Sequence, residues 1–313
     1  MAAPESTTPA RKASVMDVAA ALLAQARDIG KSSLAVVGTS KNAGKSVVVA
    51  ALADGLAREA TPFGLASLGR DGESVDALEG TPKPRFWLSP GATFATAAVL
   101  VPRSPAVEIV AVTAERCALG PIVVARSRVP GYVEIAGPPS AAALRRIVTA
   151  LRALCGFVLI DGAVDRVAAL RGGEDAIVVA VGAATAPTSS RAADDCAALV
   201  AKLRLPQCDD ARDSVALEGA LTAAEAATFA RAGERRQIIV TDPTQVAFGG
   251  RTFLELAQRL NLRCREPLHP IACSVASLGP ERAFEPRTFA HDIALRTRLP
   301  VYDVYANLRT EAA

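Results

Sequence analysis

A doubly wound α/β fold, with a mostly parallel sheet and helices on both faces, is what this 313-residue sequence predicts. Three observations carry that expectation. Short, almost wholly apolar runs recur along the chain, stretches of helical periodicity separate them, and one run ends in a glycine-bearing turn, GTSKNAGKS at 38–46, that opens a helix. Strands apolar on both faces suit a parallel sheet covered on each side, and alternation with helices is how such a sheet is wound.

The elements follow in order. Residues 1–14, rich in Ala, Pro, Ser and Thr, predict a disordered tail. From Val15 to Ile29 the apolar positions Val15, Val18, Ala19, Leu22, Leu23, Ala26 and Ile29 recur at helical spacing, which predicts an amphipathic helix used for packing. Strands are expected at Leu34–Val37, Phe63–Ser67, Ile122–Ala125, Tyr132–Ile135, Phe157–Ile160, Ala176–Val181, Gln237–Val240, Pro270–Ser274 and Pro300–Val304. Helices are expected at Ala141–Cys155, Arg191–Leu203 and Arg251–Leu260. Prolines 82, 84, 90, 102 and 105 break the stretch from 71 to 120, which reads as an irregular insertion carrying substrate or switch elements. Residues 206–236 read as a surface turn followed by a helix.

Composition narrows the function classes. A formal charge of +3, with no Lys or Arg cluster interleaved with aromatics, argues against nucleic acid, and aromatics at 4% leave no base-stacking platform. The six cysteines contain no C-x-x-C pair and no nearby histidine to complete a metal site, so they read as reduced, mostly buried thiols. The N-terminal residues contain no apolar leader, and no uninterrupted apolar run approaches the roughly 18 residues of a membrane span. A soluble cytoplasmic protein that binds neither membrane nor nucleic acid is expected.

The chemistry concentrates in GTSKNAGKS. A strand, a glycine-containing turn and a helix trap an anion, because backbone N–H groups converge and the helix dipole adds positive potential. Gly38, Thr39, Ser40, Lys41, Asn42, Ala43, Gly44, Lys45, Ser46 and Val47 form the expected ATP-binding loop. Gly44 allows close approach of the backbone, Lys45 reaches the β- and γ-phosphates, and Ser46 ligates Mg²⁺. A G-K-S triplet alone is common by chance; the strand before it and the helix after it carry the assignment.

Two further stretches support the loop. CGFVLIDGAVDR, 155–166, places Asp161 at the end of an apolar strand, where an acidic residue holds Mg²⁺ through water. Asp165 and Arg166 follow it as candidates for γ-phosphate sensing or partner contact. LGRDGESVD, 68–76, gathers Arg70, Asp71, Glu73 and Asp76 after another strand, with Asp71 the candidate for a second Mg²⁺ carboxylate; a solvated turn is the alternative. Lys45, Lys41, Asp161 and Asp71 form the catalytic set, and Ser46, Asp71 and Asp161 the metal set. The Asp-Pro of IVTDPTQVAFGGRTF, 239–253, is an ordinary turn signal, although the segment follows a strand and is a weaker candidate for the base. The N-K-x-D guanine signature is absent, which favours ATP over GTP, and His269 and His291 read as structural.

In the familiar spacing the first glycine lies six before the lysine; here Thr39 holds that place and Gly38 lies seven before Lys45. This G-T-x-x-x-x-G-K-[ST] form resembles the loops of dethiobiotin synthetases and cobyrinate amidotransferase synthases, relatives of the nitrogenase iron protein and the partition ATPases. Many of that class carry an extra lysine five before the loop lysine. Lys41 stands four before it, so a homodimer in which Lys41 acts across the interface stays an open alternative.

Taken with LGRDGE, TPKPRFWLSPG (81–91), LIDGAVDR and LPVYDV (299–304), the chain from about 33 to 305 resembles the P-loop subunit of the ATP-dependent reactivase of lysine 5,6-aminomutase and ornithine aminomutase. The resemblance implies an Mg-ATP hydrolase working with a second reactivase subunit and an adenosylcobalamin-dependent aminomutase, exchanging damaged cobalamin for intact cofactor. SVASLGPERAFEP, 274–286, departs from the Asn-Pro-containing turn expected after the penultimate strand. The alternatives are a carboxylate–amine ligase like dethiobiotin synthetase, with Lys41 or Arg70 clamping the carboxylate, and a nucleotide switch. On this basis 1–30 form the tail and first helix, 31–236 the P-loop domain, and 237–313 strands and helices expected to belong to the same α/β domain.

Overall fold

The structure, a computed structural model, describes residues 15–68, 85–101, 106–162, 175–303 and 308–310. Helix α1 (Val15–Asp28) leads into β1 (Ser33–Gly38), followed by α2 (Lys45–Arg58), β2 (Phe63–Ser67), β3 (Arg85–Leu88), β4 (Thr93–Ala97), β5 (Val107–Cys117), β6 (Gly120–Ser127) and β7 (Gly131–Glu134). The chain continues through α3 (Ala141–Arg152), β8 (Phe157–Asp161), β9 (Ala176–Gly182), α4 (Ser189–Leu203), β10 (Ser214–Ala216), α5 (Ala223–Arg231), β11 (Gln237–Val240) and α6 (Gly250–Ala257). It ends with β12 (Asn261–Cys264), β13 (His269–Ala276), α7 (Pro286–Thr297), β14 (Val301–Asp303) and β15 (Leu308–Thr310).

The fold is α/β, built on a ten-stranded sheet in the order β15-β14-β13-β9-β1-β8-β2-β4-β6-β5. From β14 to β4 the strands run parallel; β15 at one end and β6 at the other run antiparallel to them, and the edge strand β5 pairs antiparallel with β6. Helices cover both faces. Leu22, Leu23, Val48, Val49, Leu52 and Leu56 of α1 and α2 share one core with Leu34, Val36 and Leu159, whereas Leu144, Ile147, Val200, Phe289 and Ile293 of α3, α4 and α7 share the other with Ala35, Val37 and Ile160. Alternate residues of β1 thus serve opposite cores, as the two-residue side-chain period of a strand requires.

Helices α3, α4 and α5 begin where the sequence supplies a cap. Ser140 accepts from the Ala143 N–H at 3.3 Å, Thr188 accepts from the Arg191 N–H at 3.2 Å, and Thr222 and Glu225 form a reciprocal capping box at α5.

The stretch from 71 to 120 departs from the irregular insertion that its prolines suggest. Its described part contains β3, β4 and β5, and β4 joins the main sheet beside β2. Strand β3 pairs instead with β7 as a separate antiparallel ribbon, its Phe86 and Leu88 facing inward and Trp87 stacked edge-to-face on Tyr132 outside. Between α4 and β13 lies a small unit with its own core: the parallel sheet β10-β11-β12, with α5 and α6, around Leu221, Ile238, Val240 and Phe253. Position 236 falls between two of its paired strands, β10 and β11, while β13 and β14 return to the main sheet.

Candidate functional site

Strand β1 lies between β8 and β9 at the centre of the sheet. From β1 the chain leaves through α2 toward β2 over one face; from β9 it leaves through α4 toward β13 over the other. The crevice beyond the carboxyl ends of β1 and β9 is therefore a topological switch point, where open α/β sheets bind ligands.

The GTSKNAGKS turn occupies that place. Its entry is fixed by the Thr39 N–H donating to the Ala180 carbonyl of β9 at 3.0 Å, and its floor by Ala43, which is buried in the α1–α2 core. Two residues take the left-handed conformation, Asn42 at φ 57° and Gly44 at φ 88°. Gly44 is the N-cap of α2 and has no side chain to close the helix end, so the first N–H groups of the helix are left to a ligand or water. The N–H groups of Ala43, Gly44 and Ser46 donate to no acceptor among the described residues. The Thr39 hydroxyl oxygen is buried without a hydrogen-bond partner.

Lys45, the first residue of α2, folds back over the loop, its Nζ donating to the Ser40 carbonyl at 2.8 Å. A methyl group at Gly38 would stand 2.9 Å from that nitrogen and 3.0 to 3.1 Å from the lysine stem. The first glycine of the motif thus makes room for the lysine, a role that its seven-residue separation did not reveal. Gly182 at the end of β9 serves the loop similarly, since a Cβ there would meet the Asn42 carbonyl at 3.4 Å and Ala276 at 3.3 Å.

Asp161 closes β8 and is 5% exposed. It stands opposite Val36 of β1 on one side and Ser67 of β2 on the other. Phe157 and Leu159 pack with α2, so the two-residue period puts Asp161 on the face that α2 covers, the face of Ser46. Its own backbone is fixed as well, for its carbonyl accepts from the Leu68 N–H at 3.3 Å. The next residue must be glycine, because a Cβ at Gly162 would lie 2.8 Å from the Val36 carbonyl.

Comparison with protein-family models, with curated proteins and with solved structures finds no match.

The structure thus brings residues 38–47 and Asp161 to one edge. Arg70, Asp71, Glu73, Asp76, Asp165 and Arg166 lie outside the described residues. Among the described residues no group of three His, Cys, Asp or Glu side chains could hold a metal ion, and no helix is long and apolar enough to cross a membrane. His269 sits at the opposite, amino end of β13, where burial and then the Lys31 charge lower its pKa.

Sequence reasoning missed the segment Ile135–Ser140 on the same edge. A Cβ at Gly137 would overlap the Ser67 carbonyl oxygen at 1.5 Å, so this segment lies directly against the end of β2 as it leads into α3. Its signal was IAGPPS, a glycine and two prolines before the serine cap. Ser277, just beyond β13 in the SVASLGPERAFEP stretch, is fully buried with no partner for its hydroxyl among the described residues, and no local pattern marked that burial.

Proposed function

We propose that this chain binds Mg-ATP in the β1–α2 loop and hydrolyses it, as the ATPase subunit of a reactivating chaperone for an adenosylcobalamin-dependent aminomutase. The observation that carries the nucleotide reading is the set of unfilled donors at the partly exposed start of α2: the Ala43, Gly44 and Ser46 N–H groups beside the enclosed Thr39 hydroxyl and the Lys45 ammonium. A polyphosphate supplies the acceptors that such a set needs, and the α2 dipole favours its charge. Lys45 exchanges a neutral carbonyl for a phosphate oxygen, a stronger charge-assisted bond.

The donor types fit magnesium too. Ser46 at the start of α2 and Asp161 at the end of β8 carry hard oxygen donors on the sheet face that α2 covers, and they would hold an ion that keeps much of its water. When bound, Mg²⁺ offsets the negative charge that the phosphates bring. This chain's share of the work is to hold the phosphates rigidly through backbone N–H groups, to fix the terminal phosphate with Lys45, and to position the ion from Asp161.

The reactivase reading rests on the set of motifs rather than on the loop alone. The LID of LIDG and the VYD of LPVYDV lie on β8 and β14, which are parallel to β1 and end at the same edge. The deciding experiment measures ATP hydrolysis by the purified chain with and without its second subunit and the aminomutase. Slow hydrolysis that needs no small carboxylate and rises with the mutase is expected. Turnover only with a carboxylate and an amine would make it a ligase, and no ATP binding at all would overturn the assignment.

A further inference from the structure

Two of the six cysteines meet in the core. Cys196 on α4 and Cys273 on β13 are both fully buried, with their sulfur atoms 3.8 Å apart. They are separated by 77 positions in sequence. Within that interval lies the inserted three-stranded unit, which α4 enters and from which β13 returns to the main sheet. Both chain crossings into the insertion therefore run past this pair of thiols.

We infer that Cys196 and Cys273 form a latent disulfide that clasps the neck of the insertion under oxidising conditions. The sulfur atoms need approach by only about 1.8 Å to reach bonding distance. The remaining thiols make no such sulfur–sulfur contact among the described residues: Cys155 bonds the Leu151 carbonyl, Cys264 bonds the Leu205 carbonyl and neighbours Cys208, whose N–H donates to the Cys264 carbonyl at 2.8 Å and whose sulfur faces Asp210, and Cys117 is partly exposed on β5.

The closed core protects the pair. The hydrogen bond with Cys273 and then burial push the Cys196 thiol well above its usual range, which disfavours its reactive thiolate while α4 lies on β13. Reaction begins with local opening of that contact. Hydrogen peroxide then oxidises one thiol to a sulfenic acid and is itself reduced to water. Reclosure returns the second thiol to contact; its sulfur attacks the sulfenic sulfur, the S–O bond breaks, and a second water leaves. Two thiols lose two protons and two electrons, and one peroxide becomes two waters. The crosslink ties both chain crossings together and restricts the unfolded chain between them.

The test treats the full folded chain with graded hydrogen peroxide, blocks residual thiols, and maps peptides without reduction. A Cys196–Cys273 linked peptide that dithiothreitol cleaves is expected, with the melting temperature raised by roughly 5 °C. Cys196→Ala and Cys273→Ala should each abolish both signals, and the two variants report separately in case one folds poorly. Cys117 and Cys208, the partly exposed thiols, gauge the oxidant. If a dose that modifies them leaves Cys196 and Cys273 free, converts either to sulfinic acid, or links either to another cysteine, the inference is wrong. None of these outcomes depends on nucleotide binding.

Discussion

The Lys45 ammonium donates to the carbonyl oxygen of Ser40 at 2.8 Å, so the loop's own backbone holds this charge. Phosphate binding has to be stronger than this bond. Lys45→Ala removes a charge-assisted contact worth about 1.5–3 kcal/mol, which corresponds to a loss of ATP affinity of roughly tenfold or more. Titration calorimetry checks this, and unchanged affinity with unchanged turnover would show that the loop is not a phosphate site.

Asp161 is expected to act on the ion more than on the nucleotide. Asp161→Asn keeps the shape and loses the charge at the end of β8. Mg²⁺-dependent turnover should fall at least about tenfold while ATP binding measured without magnesium changes by less than about threefold. Equal loss of both, with a lowered melting temperature, would mean that the residue only supports the strand end.

Hydropathy made the central strands legible because β1, β8 and β9 are buried along their whole length, and it located Asp161 as the polar residue that ends one of them. It failed at β4, which is just as buried but contains Thr93 and Thr96. Their hydroxyls bond the Phe63 and Glu134 carbonyls at 2.9 and 2.8 Å, and a pairing made inside the fold leaves no trace in a hydropathy pattern. Strand β5 was hidden for another reason: it is an edge with two register shifts, so neither face is continuously buried. Within the site, the spacing of glycines and lysine identified the loop. The enclosed Thr39 hydroxyl and the contact of Gly137 with Ser67 arise between segments distant in sequence; IAGPPS marks a turn but not the strand end that it meets.

Gly137→Ala tests that contact directly. The added methyl would occupy the position of the Ser67 carbonyl, so either β2 or the segment entering α3 must move. A loss of at least about 2 kcal/mol in denaturant unfolding is expected, larger than the usual effect of a single surface change. Gly131→Ala, whose methyl meets nothing within 4 Å, is the matched control and should stay within about 0.5 kcal/mol. Similar behaviour of the two variants would show that the segment does not press on β2.

Acid should weaken the fold through its helix caps. Glu285 caps α7 and accepts from the Thr288 and Arg287 N–H groups; these bonds, led by Thr288, hold its carboxyl below the ordinary value of 4.5. Glu225 is lowered similarly by its bonds with Thr222, and Glu234 is lowered to about 2, chiefly by its bond with Arg236. Each folded pKa lies below the unfolded one, so the unfolded chain binds more protons and stability falls as the pH drops through and below 4.5. Urea midpoints between pH 6 and pH 3 should decline, with a shallower decline for Glu285→Gln. An identical slope for that variant would remove the cap from the account.

A buried carboxylate at the opposite edge should matter more to stability than to chemistry. Asp175, 1% exposed, precedes β9 and accepts from Arg145 at 2.9 Å and Arg152 at 3.3 Å, both on α3. The buried Ser33 hydroxyl at the start of β1 also donates to it, and Arg152 donates to that hydroxyl at 2.6 Å. One side chain therefore ties α3 to the amino ends of two central strands. Asp175→Ala removes the carboxylate that two partly buried guanidinium groups share and should cost about 3 kcal/mol, toward the lower end for a broken buried pair because both arginines retain some water. ATP affinity of the fraction that remains folded should be unchanged, since Asp175 and the loop lie at opposite ends of the strands. A large loss of affinity with normal unfolding behaviour would contradict this division between the two edges.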